Sequence, residues 1–267
     1  MSQRTQPPIA LTIAGSEATG GAGAQADLKT FQARGVFGLA ALTCIVSFAP
    51  KDNWNHRFVP VDAQVIADQL EVEFATYDIQ HIKIGMLGTP VTIDTVAAAL
   101  ADRSPTTLLV DPVLICKGQE AGAALDTDTA LREKILPLAT FVTPNHFEAM
   151  TLAGMDAIDD VDDLTTAAKR IHEATGAAVL AKGGVRLDGP DAVDVFYDGD
   201  TLEVLSVPKI GEHAVSGAGC SLAAAVTAEL AKGAAPLEAA RTAKEFVTRG
   251  IEARVAANTP FDVLRQL

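Results

Sequence analysis

The sequence predicts an α/β fold in which helices cover both faces of a mostly parallel sheet. Apolar runs of strand length alternate with segments of helical periodicity along all 267 residues, and this order is typical of parallel sheets. Apolar residues make up 48% of the chain but aromatic residues only 5%, so we expect a core of Ala, Val, Leu and Ile. The length suits a single large domain, residues 1–267.

The apolar runs predict the strands in order. The longest run, residues 39–48, is rich in β-branched and apolar residues. The predicted strands are 9–14, 39–48, 81–86, 106–111, 140–143, 177–182, 192–197 and 201–207. Between the last two stands Asp198-Gly199, a strong hairpin signal.

The helices fill the segments between these strands. The first is expected to end at Gly35, and Asp62 is a plausible N-cap of the second. The predicted helices are 22–34, 62–76, 89–101, 126–136, 148–153, 163–174, 217–232 and 236–257.

Charge and composition exclude several classes of function. The formal net charge is −13 with no cluster of Lys and Arg, which argues against nucleic acid or an anionic membrane as partner. No segment has the ~18 consecutive apolar residues of a membrane span. The three cysteines, Cys44, Cys116 and Cys220, form neither a disulfide framework nor a zinc pattern. We therefore expect a reducing, cytoplasmic setting.

Ligands of such folds bind beyond the carboxyl ends of the strands, where the clearest motifs of this sequence fall. A loop rich in glycine, Gly15–Gly23, follows the first strand. It matches neither the GxGxxG fingerprint nor a Walker loop. We interpret it as a loop that wraps a compact polar substrate, with a plain strand-to-helix turn as the alternative.

Asp111 ends a central strand in the run Asp-Pro-Val-Leu-Ile-Cys-Lys-Gly. A carboxylate there could orient Mg²⁺ or a phosphate-bound water. The segment that follows, through Ala124, is predicted to be a mobile loop carrying Cys116. Simple packing of Cys116 is the alternative.

Two further motifs supply groups suited to phosphate and Mg²⁺. Asn145-x-x-Glu148 has oxygen ligands of the kind that Mg²⁺ binds, although the same spacing is that of a helix capping box. Lys182-Gly183-Gly184 combines a point charge for phosphate with glycines that permit close approach. A solvated strand-end lysine is the alternative.

The segment Ser216-Gly217-Ala218-Gly219-Cys220 runs directly into an Ala-rich helix. Free amide groups and the positive end of the dipole make a helix start an anion site. The same potential lowers the pKa of a thiol, so Cys220 is a candidate proton acceptor beside a phosphate site. The alternative is an ordinary glycine-flanked helix start with a buried cysteine.

In their order these motifs resemble the vitamin kinases of the ribokinase-like superfamily. The resemblance extends over nearly the whole chain. It is carried by Gly15–Gly23 with the following Ala-Gln-Ala-Asp-Leu-Lys-Thr, by Ile-Lys-Ile-Gly-Met at 82–86, and by the motifs at Asp111, Asn145 and Lys182. Cys116 and Gly217-Ala218-Gly219-Cys220 resemble the bacterial pyridoxal/pyridoxine kinases that carry a second cysteine.

The resemblance implies a three-layer ribokinase-like fold and a homodimer that phosphorylates the 5′-hydroxymethyl group of a vitamin B6 form with ATP and Mg²⁺. Cys220 and Cys116 would be catalytic, and Cys116 could also add to the aldehyde of pyridoxal. The remaining roles are an anion hole of Gly217, Ala218 and Gly219, ATP contacts from Asn145, Lys182 and Gly183, metal contacts from Asp111 and Glu148, and a substrate pocket of Gly15, Ser16, Gly21, Met86 and Val113.

Two departures concern the related hydroxymethylpyrimidine kinases. Glu17 stands where these usually have Asp, and Ser216 replaces the His that often precedes their Gly-Thr-Gly-Cys. Both put pyrimidine specificity in doubt. A hydroxymethylpyrimidine or phosphomethylpyrimidine kinase is therefore the alternative enzyme, and a non-catalytic vitamin or nucleotide carrier is the alternative of another class.

Overall fold

The computed structural model describes residues 6–114 and 121–267, with side chains from residue 125 onward in the second range. These residues form one sheet of nine strands. In chain order they are β1 (Ile9–Glu17), β2 (Phe37–Ala49), β3 (Asn55–Pro60), β4 (His81–Ile84), β5 (Thr107–Val110), β6 (Phe141–Val142), β7 (Ala178–Gly184), β8 (Asp191–Tyr197) and β9 (Leu202–Pro208). The order across the sheet is β3-β2-β1-β4-β5-β6-β7-β8-β9. The six central strands, β2, β1, β4, β5, β6 and β7, are parallel to one another. Strand β3 pairs antiparallel with β2 at one edge, and β8 and β9 add antiparallel pairs at the other.

Helices cover both faces of this sheet. They are α1 (Gly23–Ala33), α2 (Ala63–Thr76), α3 (Pro90–Leu100), α4 (Ala121–Lys134), α5 (His146–Ala153), α6 (Val161–Thr175), α7 (Ala218–Ala231) and α8 (Pro236–Glu252). Helices α1, α7 and α8 pack together on one face, and α2 to α6 cover the other. The predicted α/β architecture is confirmed.

Alternation along the central strands divides their side chains between the two faces. Ile82 and Ile84 of β4 pack with Ile66 and Leu70 of α2. Lys83, between them, points to the opposite face and bonds Asp27 of α1. This is the period of two expected of a strand buried on both sides.

The parallel strands bring their carboxyl ends to one edge of the sheet. At this edge the β1–β2 register shifts between Ala14 and Ser16, around Gly15. The β7–β8 register shifts between Lys182 and Gly184, around Gly183. Such bulges bend a strand and redirect its side chains, so two of the predicted glycine motifs mark places where the sheet departs from regularity.

Most predicted elements are confirmed with boundaries moved by a few residues. The first strand extends to Glu17 and α1 begins at Gly23, so the predicted loop Gly15–Gly23 is shortened to residues 18–22. Asp62 caps α2, because its carboxylate accepts the N–H of Gln64 at 2.9 Å. Asp198-Gly199 closes the β8–β9 hairpin, with Gly199 at φ +99°. Among the described helices, none is long and apolar enough to cross a membrane.

One strand was missed, and one predicted loop boundary was wrong. The edge strand β3 was missed, because its sequence Asn-His-Arg-Phe-Val-Pro is polar and largely exposed and shows no buried run. Its turn places Asn53 and Trp54 in the left-handed region. The predicted loop through Ala124 is too long, since α4 begins at Ala121 rather than at residue 126. Alanine favours helix strongly, and the segment 121–125 is rich in it.

Glu73 of α2 carries a carboxylate into the space between α2 and β2. The backbone N–H of Ala40 donates to it, but Oε2 finds no hydrogen-bond partner among the described residues. Burial raises the pKa of Glu73 to about 7. The folded state therefore favours the neutral acid.

This environment predicts that Glu73 destabilises the fold as the pH rises. A carboxyl whose pKa is raised in the folded state makes its full contribution to the free energy of unfolding below its unfolded pKa, near 4.5. This contribution to stability is lost as the pH rises to the folded-state pKa of about 7. The variant Glu73→Gln keeps the acceptor without ionising. We expect it to match the parent at pH 4.5 and to exceed its free energy of unfolding by about 1–2 kcal/mol at pH 8, allowing for partial solvent screening.

Denaturant unfolding at the two pH values measures this difference. Glu71→Gln, on the exposed side of the same helix, removes the same charge and should show no comparable gain. An equal gain in both variants would assign the effect to net charge rather than to burial of Glu73.

Candidate active site

A cavity of about 1080 Å³ opens at the carboxyl edge of the sheet. It is large enough for a drug-sized or cofactor-sized ligand. It is lined by residues predicted for nucleotide, metal, anion-hole and catalytic contacts: Asp111, Asn145, Glu148, Lys182, Gly183, Gly217, Ala218, Gly219 and Cys220. Val113, predicted for the substrate pocket, also lines it. Residues distant in sequence are thus brought to one place by the common direction of the strands.

Asp111 and Lys182 form an ion pair in the floor of this cavity. Lys182 Nζ donates to Asp111 Oδ1 at 2.9 Å, and Thr143 Oγ1 donates to the same oxygen at 3.2 Å. Burial alone would raise the pKa of Asp111, but Lys182 and Lys83 hold it below its usual value. Burial likewise disfavours charged Lys182, and the carboxylates of Asp111 and Glu148 raise its pKa nonetheless. The simple alternative of a solvated strand-end lysine is therefore wrong.

Asn145 and Glu148 form the capping box that was the alternative interpretation of their spacing. Asn145 Oδ1 accepts the N–H of Glu148 at 3.0 Å, and Glu148 Oε2 accepts the N–H of Asn145 at 2.7 Å. Burial, and the negative charge of Asp111, raise the pKa of Glu148 to about 7 against the pull of Lys182. Capping is confirmed, and contacts with phosphate or metal remain predictions.

The donor chemistry here fits Mg²⁺ held mainly through water and phosphate. Among residues 6–114 and 121–267, no group of three or more His, Cys, Asp or Glu could enclose a metal ion. Asp111 and Glu148 bring two carboxylates to the same cavity. Mg²⁺ is commonly bound by one or two carboxylates together with the phosphates of a substrate, so the residues present suit that kind of site.

The turn before α7 packs directly on the loop after β1. Gly217 caps α7 at φ +80°, and a Cβ added there would lie 1.7 Å from the carbonyl oxygen of Gly21. A Cβ on Gly21 would lie 2.6 Å from Val263 Cγ1. Ser216 is held in turn by backbone bonds with Asp262 and Leu264. Gly21 therefore contacts both the predicted anion hole and the C-terminal segment.

Cys220 is half-buried where two helices begin. It lies in the first turn of α7, and the backbone N–H of Gly23, the first residue of α1, donates to its sulfur. We expected the helix start to lower the pKa of the thiol. Burial instead raises that pKa, against the opposing effects of Lys83 and the Gly23 N–H. Desolvation outweighs these two opposing effects, because burial disfavours the charged thiolate.

The loop after β1 is organised by Glu17, which is 6% exposed. Its carboxylate accepts the N–H of Thr19 at 2.7 Å, the hydroxyl of Thr19 at 2.6 Å and the N–H of Ala22 at 3.3 Å. Ser16 Oγ accepts from Gln25 Nε2 at 2.7 Å. The polar groups of the loop are thus largely bonded to one another.

Gly15 and Met86 lie together beside Cys44. A Cβ on Gly15 would be 2.5 Å from Cys44 Sγ and 3.8 Å from Met86 Sδ. Cys44 is fully buried, as its position inside the apolar run Leu42–Val46 predicts. Gly15, Ser16, Gly21 and Met86 do not line the large cavity. They connect to it through Gly23, which packs against the Gly15 carbonyl and bonds Cys220.

Sequence reasoning missed two parts of this region. The far wall of the cavity is apolar and comes from the β9 end and α8, including Val207, Ile210, Val247 and Ile251. These residues carry no distinctive motif. The second part is the buried pair of Lys83 and Asp27, whose signal is a single lysine between two isoleucines. Cys116 lies outside the described residues, so its proposed roles stay predictions.

Comparison with known proteins identifies similar chains. Residues 17–262 match the family model described as phosphomethylpyrimidine kinase. The pyridoxine kinase of Bacillus subtilis is 46% identical over 243 residues, covering 91% of this chain and 90% of that protein. The hydroxymethylpyrimidine/phosphomethylpyrimidine kinase of Rhizobium meliloti is 40% identical over 245 residues, with coverage of 92% and 91%.

A solved structure is similar over almost the whole chain. The pyridoxal kinase of Staphylococcus aureus in complex with AMP-PCP and pyridoxal superposes with a TM-score of 0.90 at 36% identity. The match covers 98% of this chain and 94% of that one. The ribokinase-like fold expected from the sequence is confirmed.

The contact between Gly217 and Gly21 predicts an unusually severe glycine substitution. In Gly217→Ala the left-handed backbone and the clash with the Gly21 carbonyl add together. We expect a loss of roughly 2–4 kcal/mol in the free energy of unfolding. Gly233→Ala is the matched control, because Gly233 has φ +89° but no atom within 4 Å of an added Cβ. It should lose only about 1 kcal/mol.

Denaturant unfolding of both variants gives the comparison. Equal losses would mean that Gly217 is needed for its backbone conformation alone and that the two turns are not in close contact.

Proposed function

The chain belongs to the phosphomethylpyrimidine kinase family, and we propose that it is an ATP-dependent kinase of vitamin B6. Its acceptor is the 5′-hydroxymethyl group of pyridoxal, pyridoxine or pyridoxamine. The observation that carries the proposal is the position of Cys220. Cys220 borders the large cavity, and its sulfur is joined through Gly23 to Gly15 and Met86. The related pyridoxine kinase and pyridoxal kinase supply the acceptor class.

The cavity holds the nucleotide in this proposal. Its apolar wall from β9 and α8 suits a flat base, and its polar floor suits phosphates. Lys182 provides a compact positive charge for phosphate oxygens, and Asn145 provides an amide. The solved relative with AMP-PCP supports a nucleotide site in this fold.

Phosphoryl transfer requires alignment and charge stabilisation more than covalent work by the protein. The amides of Gly217, Ala218, Gly219 and Cys220 open α7 and would hold the moving phosphoryl group. The bond between the acceptor oxygen and phosphorus forms as the bond to the leaving ADP breaks. When bound at Asp111 and Glu148, Mg²⁺ would neutralise charge on the phosphate chain.

Cys220 accepts the proton of the acceptor hydroxyl. Because burial raises the pKa of its thiol, the thiolate is a strong base but a minor species at neutral pH. Exclusion of water from the site limits wasteful hydrolysis of ATP. Cys116 would exchange a proton with Cys220 when its segment closes, or add as a thiolate to the aldehyde of pyridoxal, which pyridoxine lacks.

A pyrimidine acceptor is the second candidate, since the family model and the Rhizobium meliloti relative carry that name. Glu17 and Ser216 are the departures that weigh against it. The carboxylate of Glu17 is engaged by its own loop. A homodimer, a cytoplasmic location and a single domain are retained as parts of the proposal.

Steady-state kinetics with ATP, Mg²⁺ and each acceptor tests the choice. We expect kcat/KM for at least one vitamin B6 form to exceed that for hydroxymethylpyrimidine by tenfold or more, which corresponds to about 1.4 kcal/mol of transition-state discrimination. Coupled spectrophotometric detection of ADP gives the rates, and mass spectrometry of the product excludes simple ATP hydrolysis. Absence of turnover with every vitamin B6 form would reject the proposal.

Removal of the Cys220 thiol should separate catalysis from binding. We expect Cys220→Ala to lower kcat by 10²–10⁴, the range of a general base, while ATP binding measured by calorimetry changes little. In the parent, kcat should rise with pH below the raised pKa of the thiol, and this dependence should vanish in the variant. Thr227→Ala, on the same helix two turns further on, is the control. An unchanged kcat in Cys220→Ala would favour another base.

A further inference from the structure

Lys83 is a lysine fully enclosed by the central layer of the protein. Its exposure is 0%, and so is that of Asp27. Lys83 Nζ bonds both carboxylate oxygens of Asp27, at 2.8 and 2.7 Å. Thr12 Oγ1 donates to Asp27 Oδ2 at 2.6 Å. The ammonium group is therefore fixed between β1, β4 and α1.

Packing alone does not account for this pair. Withdrawing two charges from water is unfavourable, and apolar side chains of similar volume often stabilise a core as well or better. The neighbouring Ile82 and Ile84 fill the opposite face of β4 in just that way. Although burial disfavours the charged form, Asp27 raises the pKa of Lys83 above its ordinary value. The group carries a permanent positive charge.

The charge lies directly beneath the catalytic edge of the sheet. A Cβ added to Gly85, two residues beyond Lys83, would be 3.1 Å from Lys83 Nζ. Helix α7, which carries Cys220, packs on β4 and on α1. Helix α1 in turn carries Asp27 and begins with the Gly23 N–H that bonds the Cys220 sulfur. Cys220 and Lys83 are thus held by the same three elements.

Several charged groups surround the Cys220 thiol. Burial raises its pKa, Lys83 is the largest influence that lowers it, and Asp27 and Asp111 act in the opposite direction. Charged groups on and around α7 include Glu17 of β1, Asp27 and Arg34 of α1, Lys83 of β4, Asp111 after β5, Lys182 of β7, Glu229 of α7 and the Lys244–Asp194 pair between α8 and β8.

We propose that Lys83, oriented by Asp27 and Thr12, is a positioning residue whose buried charge stabilises the Cys220 thiolate. The inference rests on the proposed role of Cys220 as the base. Lys83 touches neither substrate and keeps its own protons. It increases the fraction of Cys220 that is present as thiolate. The thiolate takes the proton of the acceptor hydroxyl as the new oxygen–phosphorus bond forms.

Alkylation of Cys220 tests this without requiring turnover. The full-length parent, Lys83→Met and Asp27→Asn/Lys83→Met are treated with iodoacetamide from pH 6 to 10, and modification of the Cys220 peptide is followed by mass spectrometry. Loss of Lys83 should shift the rising alkylation profile toward higher pH by about one unit, so the rate at pH 8 falls about tenfold. In the double variant the alkylation rate at pH 8 should fall only about threefold. The negative charge of Asp27, which disfavours the Cys220 thiolate, is removed together with Lys83.

Kinetics provide the second measurement. In Lys83→Met, kcat at pH 8 should fall about tenfold and recover at higher pH, while KM for ATP stays within threefold. A purely structural role would not shift the pH profile. If Lys83→Met leaves Asp27 uncompensated and does not fold, the Asp27→Asn/Lys83→Met variant provides the test of the pH profile. The neutral amide at position 27 can still accept the hydrogen bond of Thr12, so this variant is expected to fold.

Arg34→Met is the matched control for the alkylation rate. It breaks another ion pair, in which Arg34 Nε donates to Glu229 Oε1 at 2.6 Å. Neither residue lines the large cavity, so the Cys220 profile should stay unchanged. A folded Lys83 variant whose Cys220 profile stays within twofold of the parent overturns the inference. A shifted profile in a protein that phosphorylates no vitamin B6 form would reject the proposed function and leave the influence of Lys83 on the thiol intact.

Discussion

The site depends on a close backbone approach between two glycine turns. Gly217, which opens α7, lies so near the Gly21 carbonyl that no side chain fits between them. The C-terminal segment holds this arrangement, with Val263 against Gly21 and backbone bonds from its neighbours to Ser216. Two loops almost two hundred residues apart therefore behave as one surface. Displacement of either turn would move the amides of α7 relative to the acceptor residues.

Electrostatics at this surface are a balance between burial and fixed positive charge. The starts of α1 and α7 and the charge of Lys83 favour a thiolate at Cys220, whereas burial and the nearby carboxylates oppose it. Burial prevails. This suits a kinase, because a scarce base enclosed by protein accepts the hydroxyl proton in step with phosphoryl transfer and gives water little chance to react. Lys182 and Asp111 show the other outcome, since their close pairing keeps both groups charged.

The loop after β1 connects acceptor choice to stability. The carboxylate of Glu17 accepts hydrogen bonds from Thr19 and Ala22, so it is held by its own loop and is not a free acid. Ser216, at the other departure from the pyrimidine kinases, is engaged by its backbone with the C-terminal segment. Both positions act on the pocket through the loops that form it. A vitamin B6 acceptor is consistent with this arrangement.

The sequence by itself determined the alternation of strands and helices, and with it the α/β class and the edge of the sheet where the large cavity opens. It also marked Asp111, Asn145, Glu148, Lys182 and Gly217, because strand ends and helix starts have local signatures of glycine, proline and capping residues. The missed strand β3 has no such signature: it is exposed, polar and defined by pairing with β2.

Only the tertiary structure decided the state of the charged groups. Capping by Asn145 and Glu148 follows from spacing, yet the raised pKa of Glu148 comes from burial beside Asp111. The helix-start motif predicted a lowered pKa for Cys220, and burial reversed that direction. Lys83 found its partner on α1, 56 residues away. Desolvation and long-range pairing depend on what surrounds a group in space, and that information is absent from its neighbours in the chain.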